Sequence, residues 1–229
     1  MIILIRGCIF IIVEFIGPAG AGKSYLVKNI AKLSKDKDIN IVSSDYLKIP
    51  FLKKFNVLLL FDALRLSVNV SKGHKIKRIK NLYKNFIALR YYNTQKILNK
   101  KTIILFDQNV FQSFTAQLIH TKPKHKQLML KNMLIILQKN RHKKNLPDIV
   151  FNVEISLEML NEQRRQRNKK SDYILSEKKY SNSLDRHYKI TNLIKNIGSV
   201  YIINLNNNNP KEVNANSEII LSILRENYE

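Results

Sequence analysis

An apolar run that breaks into a glycine-rich turn restricts the fold of this chain more than any other feature. Residues 9–24 read I-F-I-I-V-E-F-I-G-P-A-G-A-G-K-S. Gly17, Pro18, Ala19, Gly20, Ala21, Gly22, Lys23 and Ser24 match G-x-x-x-x-G-K-[ST] in full, with a strand-like run before them and a helical pattern after. Glycines let successive backbone N–H groups turn inward into an anion-binding nest. The following helix adds the positive end of its dipole. Lys23 places a point charge against terminal phosphates, and Ser24 offers a hydroxyl to Mg²⁺. A plain strand-to-helix turn is the competing reading, and it needs one or two glycines rather than three followed by Lys-Ser. The stretch therefore predicts a cradle for ATP with Mg²⁺ beside it.

Further apolar runs of strand length recur along the chain. They cover residues 39–43, 102–106, 149–155 and 199–205, in addition to 9–16. These runs are nearly continuous rather than alternating, which predicts strands covered on both faces. Between them the apolar spacing turns helical, over 23–34, 74–98, 124–141, 156–167 and 211–227. Residues 46–73 read as a helix followed by a loop. Strands that alternate with helices predict a parallel, five-stranded sheet in a three-layer α/β/α P-loop NTPase fold. No Pro/Gly/Ser-rich linker divides the 229 residues, so a single domain is expected. Residues 46–98 then form a helical region on the acceptor side, and 157–173 a lid.

The formal net charge is +23. Such a balance raises phosphate-bearing partners: nucleic acid, nucleotides or anionic lipid. The lysines are spread over loops and helices alike, as a Lys-, Asn- and Ile-rich composition alone would place them. Cys8 is the single cysteine, which excludes an internal disulfide and fits a reducing compartment. Its apolar neighbours predict a core position. Arg6 and Glu14 interrupt the N-terminal apolar run, and no small-residue cleavage site follows. A buried strand is expected there rather than a membrane span or a leader, and the expected location is cytoplasmic.

A nucleotide site needs an acid near the metal and groups that steady the moving phosphoryl. Open α/β sheets bind ligands at the carboxyl ends of their strands, so those ends are where to look. Asp107 ends the third run, placed to hold Mg²⁺ or to cap the next helix. Asp45 follows the second run in Ser43-Ser44-Asp45-Tyr46. It reads equally as an acceptor contact and as a helix cap. Arg164, Arg165 and Arg167 cluster after the fourth run. A lysine-rich chain that uses arginine here gains bidentate phosphate geometry. The three predict a flap that folds over the phosphates, against the reading of a solvated basic face.

With these residues in place, the chain resembles the P-loop nucleoside-monophosphate kinases, and thymidylate kinases most closely. The likeness rests on the P-loop, on Phe106-Asp107-Gln108 with Ser113 and Gln117 downstream, on Pro147 to Ser156 with the arginines and Asp172 after it, and on Phe86-Ile87-Ala88-Leu89-Arg90. The resemblance implies ATP-dependent phosphoryl transfer. Lys23, Asp107 and the lid arginines would be catalytic, and Ser24 and Asp107 would hold the metal. Asp45, Arg90, Gln108 and Gln117 would face a nucleotide-like or sugar-like acceptor. It further implies adenine held near Asn204–Asn208, and often a homodimer. Gln108 stands where the family has arginine, and Ser44-Asp45-Tyr46 replaces its Glu-Pro-Gly-like turn. A nucleic-acid-associated or regulatory P-loop ATPase without small-molecule kinase activity is the alternative reading. Against it, the sequence has no recognisable nucleic-acid module and no clustered aromatic platform.

Overall fold

The computed structural model describes residues 10–34, 40–43, 56–68, 70, 72–98, 102–143, 145–167, 174–208 and 210–226. The strands are β1 (Phe10–Ile16), β2 (Asn40–Ser43), β3 (Thr102–Phe106), β4 (Ile149–Glu154) and β5 (Tyr201–Asn206). They form one sheet in the order β2-β3-β1-β4-β5, and every pairing is parallel. The helices are α1 (Lys23–Leu33), α2 (Val57–Ser67), α3 (Lys72–Leu98), α4 (Val110–His120), α5 (Lys126–Leu137), α6 (Asn140–Lys143), α7 (Leu157–Arg167), α8 (Glu177–Lys195) and α9 (Pro210–Glu226).

Alternate side chains of the strands feed two separate cores. Ile12, Ile16, Ile104, Phe106 and Val150 pack under α2, α3, α4, α5 and α8. Ile11, Val13, Phe15, Ile103, Leu105, Phe151 and Val153 pack under α1, α7 and α9. Both faces of the central strands are thus buried, which is why these runs are apolar throughout. The outcome is the three-layer α/β/α architecture with a parallel five-stranded sheet expected from the sequence. Among the described residues no helix is long and apolar enough to cross a membrane.

Two local expectations need correction. The helix expected over 124–141 is broken: a 3₁₀ turn at Pro123–His125 leads into α5, and a separate short α6 follows. The break brings His142 to α2, where its Nε2 lies 2.7 Å from Asp62 Oδ2 while Lys139 donates to Oδ1 at 2.9 Å. Helix α8, whose spacing of His187, Ile190, Thr191 and Ile194 is helical, was missing from the sequence reading. Arg164 and Arg165 lie within α7, inside the helix expected over 156–167. Cys8, Asp45 and Asp172 lie outside the described residues.

Candidate active site

The P-loop leaves β1 at the centre of the sheet and runs into α1. Gly17 and Gly22 have φ of +146° and +84°. A Cβ on Gly17 would fall 2.5 Å from the Val153 carbonyl oxygen, and one on Gly22 2.7 Å from Asn207 Nδ2. Sterics and backbone conformation therefore both require glycine at these two positions. The loop is clasped from three sides. Lys23 donates to the carbonyls of Gly17 (2.9 Å) and Pro18 (2.8 Å). Arg164 of α7 donates from Nε and Nη2 to the Ala19 carbonyl, at 3.2 and 2.6 Å. Asn207, fully buried after β5, donates to the Ala21 carbonyl at 2.8 Å.

Asp107 stands just past β3, beside the loop. Ser24 Oγ donates to Asp107 Oδ2 at 2.7 Å, joining residues 83 positions apart. A hydroxyl and a carboxylate converging at a P-loop are hard oxygen donors of the kind Mg²⁺ takes, with phosphate oxygens and water completing its shell. Among the described residues no cluster of three or more His, Cys, Asp or Glu could hold a metal by itself.

Glu14 sets the position of the Asp107 turn. It is completely buried on β1, and its carboxylate accepts from the N–H groups of Asn109 (3.1 Å), Phe111 (3.3 Å) and Gln112 (2.9 Å). These are amides at the start of α4 that have no partner within the helix. Burial pushes the Glu14 carboxyl up to about 7, against the pull of the three N–H bonds. Gln112 in turn accepts from Gly17 N–H at 3.1 Å, so the P-loop and the Asp107 turn are braced together.

Asp107, Ala19 and Arg164 open into a cavity of about 730 Å³. Its far walls come from one face of α3 and one face of α8. Arg78, Asn81, Lys84 and Asn85 of α3 stand at i, i+3, i+6 and i+7, a single helical stripe. Asn85 donates to Ser113 of α4 at 2.6 Å. Lys179, Ser183 and Arg186 project from α8. The described residues that line the cavity include five lysines and arginines and one carboxylate, so its field favours an anionic ligand. His187 also lines it, but burial and then the charges of Lys23 and Arg186 push its pKa down to about 3. It is therefore neutral at ordinary pH.

The predicted site residues divide accordingly. The P-loop, Asp107, Gln108 and Arg164 meet at the cavity. Arg165 is exposed on α7, and Arg167 is the last residue of that helix. Arg90 is exposed, and at twelve residues past Arg78 it falls on the other side of α3 from the lining stripe. Gln117 is fully buried, donates to Ser67 Oγ at 3.2 Å and does not line the cavity. Glu14, Arg78, Lys84, Lys179 and Arg186 were missed. A 3.6-residue stripe could have found Arg78 and Lys84 together. Nothing in the sequence marked Lys179 and Arg186 out from the general excess of basic residues.

No protein-family model matches the chain, and no curated protein matches it in sequence. Solved structures do match in fold. Deoxyadenosine kinase from M. mycoides, with the products dCMP and dCDP bound, is 17% identical, covers 93% of this chain and 98% of its own, and gives a TM-score of 0.51. Thymidylate kinase from Candida albicans is 16% identical, covers 96% of this chain and 93% of its own, and also gives 0.51. Over most of its length the chain has the three-layer fold of these nucleoside-monophosphate-kinase-like P-loop kinases.

Proposed function

We propose that this protein is an ATP-dependent phosphotransferase that moves the γ-phosphoryl group of ATP to a small acceptor carrying an anionic group, such as a nucleotide. The observation that carries the reading is the Ser24–Asp107 contact beside an intact P-loop, at one end of a cavity whose other walls are basic. The loop amides and Lys23 hold the β- and γ-phosphates. Arg164, held over the loop by its bonds to the Ala19 carbonyl, brings positive charge beside the moving group. Ser24 and Asp107 would hold Mg²⁺, which would supply neutralisation of phosphate charge. Asp107 would hold the metal while the acceptor's proton, where it has one, passes to solvent, or would take up that proton itself. The α3 and α8 walls orient the acceptor in line with the γ-phosphate, which is where most of the acceleration in this chemistry arises. Gln108 is neutral where the resemblance expects arginine. Arg164 and Arg186, on two other helices, supply positive charge to the same cavity.

The test is to incubate the protein with ATP-Mg²⁺ and panels of nucleosides, nucleoside monophosphates and sugars, and to follow ADP. Acceptor-dependent ADP, strongest with phosphate-bearing acceptors, is expected. ADP formation stimulated only by DNA or RNA overturns this reading in favour of a nucleic-acid-associated ATPase.

A further inference from the structure

One partner of Arg78 at the acceptor end of the cavity, His120, has no part in the transfer chemistry described above. Arg78 lines the cavity from α3, and its Nη2 lies 2.8 Å from Nε2 of His120, the last residue of α4. A guanidinium has donors only. His120 Nε2 is therefore the acceptor, and the neutral ring carries its proton on Nδ1. His74, one turn before Arg78, stacks on the His120 ring with centroids 3.9 Å apart and planes inclined by 29°. Backbone pairing of Val70 with Thr121 fixes the start of α3 against the end of α4 at the same place.

The arginine itself carries a second observation. Its Nε is buried and has no hydrogen-bond partner among the described residues. Buried donors without a partner are uncommon and costly. Here one corner of the guanidinium is tethered to His120 and the buried Nε makes no bond, while the residue as a whole lines a basic cavity.

We propose that His120 is a positioning residue: by accepting one N–H of Arg78 it aims the remaining N–H groups at an anionic group of the acceptor, and protonation of His120 releases that aim. The identity of the ligand rests on the phosphotransferase reading; the pair itself does not. Among the described residues, the charged and titratable groups that act on His120 are Arg78, His74 and Lys77, all from α3. Burial first, and then the electrostatic influence of Arg78, His74 and Lys77, hold its pKa below the usual 6.5. At neutral pH His120 is thus an acceptor and the tether holds. As pH falls through that lowered value the ring becomes a cation beside a cation, and the tether is lost. Acceptor binding should weaken there while ATP binding does not.

Two measurements test this, and they fail separately. The first follows the His120 ring by NMR from pH 4.5 to 8 in the wild type and in Arg78→Gln. The wild-type midpoint should lie below 6.5 and move upward in the variant, because a neighbouring positive charge is gone. A midpoint at or above 6.5 that Arg78→Gln leaves in place overturns the pair, whatever the acceptor is. The second measures KM for acceptor and for ATP, with the best acceptor from the panel, at pH 7.5 and pH 5.5. His120→Leu should raise the acceptor KM about 10-fold at pH 7.5, the worth of one charge-assisted hydrogen bond, with kcat and the KM for ATP within about twofold. His120→Gln, whose side-chain oxygen also accepts, should restore most of that affinity and remove the extra loss at pH 5.5. An unchanged acceptor KM in His120→Leu, or equal changes in both KM values and kcat, overturns the positioning role. If no acceptor supports ADP formation, the phosphotransferase reading fails and the NMR titration decides the pair alone.

Discussion

Glu14 makes the stability of this fold depend on pH in an unusual direction. Its carboxyl is raised from 4.5 to about 7 in the folded chain by complete burial. In the unfolded chain it returns to the ordinary value. Between those two values the folded state holds a proton that the unfolded state has lost, so stability falls as pH rises. The contribution is full below 4.5 and gone above about 7. A shift of this size corresponds to about 2–3 kcal/mol of lost stability between pH 5 and pH 8. Glu14→Gln cannot titrate. Its amide oxygen keeps the bonds from Asn109 and Gln112, and its NH₂ meets the Phe111 N–H. That mismatch costs about 1–2 kcal/mol at every pH. Urea unfolding of both proteins at pH 5, 6, 7 and 8 isolates the effect, because other titrations cancel in the difference. The variant should be the less stable at pH 5 and should gain about 2–3 kcal/mol on the wild type by pH 8. Parallel curves, or a gain in the opposite direction, would show that the three amides hold Glu14 as an ordinary carboxylate and refute the reasoning. Glu14→Ala should cost about 3–5 kcal/mol with no such pH dependence, because three buried N–H groups lose their acceptor.

Other perturbations separate the site from its scaffold. Asp107→Asn and Ser24→Ala should each lower turnover by roughly 10²-fold and raise the Mg²⁺ concentration needed for half-maximal rate, with little change in urea unfolding; wild-type Mg²⁺ dependence would remove both from the metal site. Lys23→Ala should abolish turnover or ATP binding by calorimetry, and turnover at the wild-type rate would contradict the P-loop assignment. Gly22→Ala should cost about 1–3 kcal/mol in urea unfolding and weaken nucleotide binding, because its φ of +84° and the nearby Asn207 amide leave no room for a methyl group. Asp62→Ala should cost about 3–5 kcal/mol, since it strands the buried His142, and it should do so without a selective effect on the KM for ATP or acceptor.

The sheet and the P-loop end of the cavity were legible in the sequence because contiguous residues carry them. The eight P-loop residues specify a turn, a charge and a hydroxyl in one stretch, and their strand is apolar on both faces because two cores need it. Asp107 was legible by its place at a strand end. The α3 and α8 walls were not, because they depend on which face of a helix turns inward. Arg78 and Lys84 look like the other basic residues of α3 until packing against α4 turns their stripe toward the cavity. Arg90, read by local likeness, falls on the opposite side of that helix. Glu14 seemed only to interrupt an apolar run, since its partners lie about 95 residues away at the start of α4. Gln117, assigned to the acceptor, instead joins α4 to α2 through Ser67.

Phosphorus NMR of a reaction containing ATP, Mg²⁺ and the best acceptor tests the central claim most directly. Phosphoryl transfer predicts that ATP signals decline while ADP and a new phosphorylated acceptor rise in equal amounts, with no matching growth of inorganic phosphate. ADP and inorganic phosphate appearing one for one, at a rate indifferent to every acceptor, would contradict it.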